Sequence, residues 1–135
     1  MRFHVVALMI AGVALLISPE PMMSHHSFTA EYDSAKLMQF TGTITKIEWM
    51  NPHARFYLDV KDPEGAVINW NFELGSPILL RKLGWKQDSL KIGDQVSVEG
   101  YLAKDGAKMA NARKITLADG RKVFAGSSAD GSPVQ

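Results

Sequence analysis

The middle of the chain alternates apolar and polar residues with a period of two. From Ala54 to Lys61, Phe56, Leu58 and Val60 interleave with Arg55, Tyr57 and Asp59. From Ala66 to Leu74, Ile68, Trp70, Phe72 and Leu74 share one face, and Asn69, Asn71 and Glu73 share the other. This pattern predicts half-buried strands. Asp62-Pro63-Glu64-Gly65 between them has the composition of a turn, so the two runs form a hairpin. Upstream, Leu37 to Trp49 reads as a longer strand rich in Thr41, Thr43, Ile44, Thr45 and Ile47. Gly42 within it predicts a bulge or bend, and Asn51-Pro52 ends it.

A short helix follows the hairpin. Ser76 suits the N-cap, Pro77 the first turn and Gly84 the stop. Ile78, Leu79 and Leu83 are expected to face inward, with Arg81 and Lys82 towards solvent and the negative helix end. Gln95 to Leu102 is a further strand with Val96 and Val98 on its apolar face. Lys108 to Leu117 is another, followed by a short run from Arg121 to Phe124. The order is three strands, a helix, then two strands. The predicted fold is therefore mainly β, an OB-fold-like five-stranded Greek-key barrel with one short helix between strands 3 and 4. Another small barrel or an open meander carrying the helix is the competing architecture. The expected core comprises Ile44, Ile47, Phe56, Leu58, Val60, Ile68, Trp70, Phe72, Leu79, Val96 and Val98.

The ends of the chain break the pattern. Val5 to Ile17 is continuously apolar behind a short basic start containing Arg2, and Ser18-Pro19-Glu20-Pro21 interrupts it. A helix of that length spans about 20 Å, short of a bilayer core of about 30 Å. The run reads as a secretory signal over 1–24, cleaved between Ser24 and His25, and not as a membrane span. An extended arm over 25–36, a barrel domain over 37–124 and a flexible tail over 125–135 complete the predicted organisation. A periplasmic or secreted location follows.

Composition narrows the function. The net charge of +1 offers no basic surface, so nucleic acid is not an expected partner. The chain has no Cys, which excludes disulfides, thiolate metal sites and a lipid-modified Cys. No paired acid and base, nucleophile elbow or phosphate-binding glycine loop occurs, so no catalytic residue is assigned and an enzyme is not expected.

Several short motifs together identify a relative. They are His25-His26-Ser27-Phe28, Trp49-Met50-Asn51-Pro52-His53, Phe72-Glu73-Leu74-Gly75-Ser76-Pro77, Gly84-Trp85, Gly93-Asp94 through Gly100-Tyr101, Asn111-Ala112-Arg113 and Asp119-Gly120. In these the mature chain resembles a family of small exported bacterial proteins classed as domain-of-unknown-function family 6152. Members usually carry a small residue such as Ala before the His pair, where this chain has Met22-Met23-Ser24. The resemblance implies a compartment and a domain but no reaction.

The histidines carry the remaining chemistry. Cleavage after Ser24 makes His25 the first residue, whose amine and imidazole can chelate Cu(II) with another His completing the set. Cleavage after Met23 would instead place His26 third, the spacing of a square-planar Cu(II) or Ni(II) chelate. His53 lies in the loop between strands 1 and 2, at the usual OB-fold binding face. His25, His26 and His53 are thus candidate metal ligands, with copper as the candidate cofactor. Each also has a plain reading, as a solvated terminus or a turn-fixing side chain. Trp49 and Asn51 border the same loop and are candidate ligand contacts. Trp70 belongs to the core pattern, and Trp85 closes the barrel bottom. Glu73, on the outward face, reads as a solvated carboxylate. The leading expectation is an exported binding module for a metal ion. The alternative is an envelope accessory module that contacts another exported protein and holds no small ligand.

Overall fold

A computed structural model describes residues 28–126. Residues 28–31 are helical. They lead into β1 (Tyr32–Glu48), β2 (Arg55–Lys61) and β3 (Val67–Glu73). Helix α1 (Pro77–Lys82) follows, then β4 (Gln95–Ala103), β5 (Met109–Thr116) and β6 (Lys122–Phe124). The strand order β3-β2-β1-β4-β5-β6, with an added parallel pairing of β3 to β5, closes five strands into a ring. This is the OB-fold-like barrel, with β6 extending the sheet beyond it.

The ring closes because β1 is long and bends. Its first half pairs with β4 and its second half with β2, and Gly42 opposes both Val60 and Val96. A side chain at Gly42 would bring a Cβ within 2.2 Å of the Asp59 carbonyl oxygen, so only Gly permits the close approach. The register shifts again between Ile44 and Lys46, a bulge that adds twist. Strand β1 starts at Tyr32, five residues before the Leu37 expected from the sequence. Polar residues 33–36 hide this start because their side chains line no core.

Phe40, Ile44, Phe56, Leu58, Phe72, Val96, Val98 and Ile115 fill the barrel. Phe56 stacks on Phe72 with ring centres 5.1 Å apart, and Phe40 meets Phe72 edge-on at 5.1 Å. Ile47, Val60 and Trp70 are only partly buried against this core. Trp85 is buried and its indole nitrogen donates to the Phe124 carbonyl at 2.9 Å, which ties the segment after the helix to β6.

Helix α1 corrects the expected facing. Ser76 caps it, accepting from the Leu79 amide at 3.2 Å. Leu80 and Pro77 are buried, whereas Ile78 and Leu79 are 60% and 39% exposed. Consecutive Ile78, Leu79 and Leu80 leave the phase of so short a helix open, and packing selects Leu80. The tail begins later than the composition suggests. Ala125 is fully buried and its carbonyl accepts from the Gly75 amide at 2.8 Å. Residues 127–135 lie outside the described residues.

Candidate functional site

One row of residues runs across the barrel wall. Arg55 of β2 opposes Glu73 of β3, Glu73 opposes Asn111 of β5, and Asn111 opposes Tyr101 of β4. Their neighbours Phe56, Phe72 and Ala110 point into the core, so this row points outward. An outward row on an open barrel would face water. Here Glu73 is only 7% exposed and Asn111 only 3%.

The cover comes from the start of the described chain. Phe28, Tyr32 and Ala103 form a second apolar cluster with Tyr101 and Met109, separate from the barrel core. Phe28 meets Tyr101 edge-on at 5.5 Å and Tyr32 at 5.7 Å. The Lys104 amide donates to the Glu31 carbonyl at 2.8 Å, and its ammonium donates to the Thr29 carbonyl. The arm is thereby fastened to the loop between β4 and β5.

Beneath it, Glu73 collects three donors. Tyr32 Oη donates to Oε2 at 2.9 Å, Arg55 Nη2 lies 2.8 Å from the same oxygen, and His53 Nδ1 lies 3.1 Å from Oε1. A desolvated carboxylate needs this density of donors to remain buried. Arg55 Nη1 also donates to Asn71 Oδ1 at 3.3 Å and approaches Met109 Sδ at 3.7 Å. Burial, and then the neighbouring Glu73 carboxylate, push the Tyr32 phenol well above its ordinary value. Because Glu73 can only accept, its contact with His53 assigns the imidazole proton to Nδ1. Nε2 is left as the lone-pair nitrogen of a neutral ring. The His53 side chain is 42% exposed.

Two buried polar atoms have no hydrogen-bond partner among the described residues, Asn111 Oδ1 and Trp49 Nε1. A cavity of about 370 Å³ opens beside the arm, lined by Ala30, Glu31, Arg55, Lys104, Asp105 and Met109. A second, of about 400 Å³, lies between Lys86–Asp94 and the turn before β6, with charges of both signs.

The candidates from the sequence are dispersed by this geometry. His53 stands at the site. His25 and His26 lie outside the described residues. Trp49 is half-buried against the barrel core, and Asn51 is exposed in the loop, preceding a cis peptide bond to Pro52. Among the described residues no group of three or more His, Cys, Asp or Glu could hold a metal ion. Glu73 is not the solvated carboxylate expected, because the arm covers its outward face. Arg55 and Tyr32 were not among the sequence candidates. The one sequence signal for them was a charged pair, Arg55 and Glu73, at the matching ends of two hairpin strands.

Comparison with known proteins adds the following. Residues 14–112 match the model of a family of unknown function, DUF6152, and the chain belongs to that family. No curated protein matches the chain. Among solved structures, the mitochondrial single-stranded DNA binding protein Rim1 of S. cerevisiae is similar at 15% identity and a TM-score of 0.47. That match covers 61% of this chain and 92% of Rim1. A complex of TiaS with a transfer RNA and ATP is similar at 22% identity and a TM-score of 0.45, covering 64% of this chain and 19% of the other. No helix among the described residues is long and apolar enough to cross a membrane.

Proposed function

We propose that this chain is a small exported binding module that holds a transition metal ion, copper for preference, through His53 together with His25 and His26. The observation that carries the reading is the 3.1 Å contact from His53 Nδ1 to the buried Glu73. Metal-bound histidines commonly donate their second nitrogen to a carboxylate, which fixes the ring and raises the basicity of the ligating nitrogen. Glu73 would serve His53 in that way, itself held by Arg55 and Tyr32.

Chain length supports the partnership. Phe28 is anchored against the face that carries Glu73, and two residues of chain reach at most about 7 Å. His26 therefore starts close to this face, and His25 one residue further. Imidazole nitrogens suit zinc, copper, iron and nickel. A free amino terminus at His25 would add a nitrogen that favours Cu(II). Removal of residues 1–24 and location outside the cytoplasm are parts of the same proposal, and no catalysis is assigned.

The test uses untagged mature protein whose first residue is established by intact mass. Titration calorimetry should find one Cu(II) per chain, with affinity falling as pH drops below about 6, because protons compete for the imidazoles. His53→Ala should weaken binding by at least about tenfold. Absence of uptake of Cu(II), Ni(II) or Zn(II) would overturn the metal reading. It would favour the second, a module for contact with another exported protein, which the exposed Ile78 and Ile92 support.

A further inference from the structure

The arm differs from the barrel it covers in three ways. Its apolar anchors form a cluster of their own, apart from the main core. Its connection to the barrel is irregular. Tyr32 pairs with Ala103 and Leu37 with Tyr101, so β1 advances further than β4 between the two pairs and its surplus residues bulge out. That bulge is exposed at residues 34–36 and is stitched mainly to itself. The Ala35 amide bonds to Asp33 Oδ1 at 3.0 Å, and Lys36 lies 3.8 Å from the same carboxylate. Finally, the arm's one buried polar link to β3 is the Tyr32 hydroxyl on Glu73, the carboxylate that also holds His53.

A segment with a small separate cluster and an exposed, locally bonded connection can open without unfolding the rest. We propose that residues 28–36 form a hinged clasp, with Phe28 and Tyr32 as positioning residues that bring the chain's first histidines to His53. Closure of the clasp raises the local concentration of those histidines at the site. By reciprocity, a ligand bridging arm and barrel holds the clasp shut. The proposal rests on the metal reading for the identity of the bridge, and on the described residues for the hinge.

The experiment compares hydrogen exchange over residues 29–36 with exchange over β2 and β3 in mature protein, with and without Cu(II). Without metal the arm should exchange at least about tenfold faster than the two strands. Cu(II) should slow the arm in the wild type but not in His53→Ala. Tyr32→Phe keeps the ring and removes the hydroxyl. It should speed exchange of the arm alone and weaken Cu(II) about tenfold, while the copper spectrum keeps the wild-type ligand set. Phe28→Ala should act in the same direction, with Phe28→Leu restoring most of the affinity, and it serves as the second variant should Tyr32→Phe fail to fold. Arm exchange as slow as that of β2 and β3 in metal-free protein would overturn the clasp. So would wild-type copper affinity in both Tyr32→Phe and Phe28→Ala. If no metal binds, the metal reading fails by itself, and the metal-free exchange rates still decide the hinge.

Discussion

Glu73 occupies an outward position and yet behaves as an interior group, because three donors and an overlying aromatic pair replace the water it would otherwise keep. The Tyr32 phenol shares that environment, and its proton is held more tightly in the folded state than in the unfolded chain. A raised folded-state value gives stability that is complete below the unfolded phenol range and is lost as pH climbs above it. Stability should therefore decline from about pH 10 upward, the ordinary tyrosine value. Urea unfolding at pH 9, 10 and 11 checks this. The decline should be shallower in Tyr32→Phe than in the wild type, and parallel curves would assign the loss to other groups. This part of the site was only half legible in the sequence. The loop carrying His53 and the outward phase of Glu73 could be read from Asn51-Pro52 and from the alternation of β3. Their contact joins residues far apart in the chain, and the covering Tyr32 lies 41 positions from Glu73. Local patterns hold no information about such pairs.

The strands were legible because each has one wet and one dry face. Phe56, Leu58 and Phe72 take the core positions that alternation assigns to them. Helix α1 was legible in place but not in phase. Its cap and stop depend on single residue types, Ser76 and Gly84, whereas the choice among three successive apolar side chains belongs to packing. Measured stabilities should separate the two candidates sharply. Leu80→Ala removes a fully buried side chain and should cost about 2–5 kcal/mol. Leu79→Ala, in a partly exposed position, should stay within about 1 kcal/mol of the wild type. Denaturant midpoints for the two variants check the assignment, and equal losses would mean that the helix is rotated. The composition of the segment after Phe124 misled for a related reason. Small residues at Ala125 and Gly126 are what allow that stretch to pass tightly against Gly75, where an added Cβ would lie 2.3 Å from the Gly126 carbonyl oxygen.

At the scale of the molecule, the barrel is sealed by two strands that are far apart in the chain. β3 and β5 run side by side in parallel, pairing Asn71 with Met109 and Glu73 with Asn111. The helix and all of β4 must be laid down between them before that seam can form. Local hairpins such as β2–β3 can assemble early, but the ring exists only after this distant pair has met. Rates of folding fall as the contacts that define a fold become more remote in sequence. The protein is therefore expected to refold in milliseconds to seconds, not microseconds. Stopped-flow dilution from urea, followed by tryptophan fluorescence, measures this directly. A microsecond relaxation would show that the seam is not needed for the rate-limiting step. For a chain exported as proposed, slow closure has a use. It lengthens the interval in which the strands remain unassembled and can still be threaded through a narrow channel.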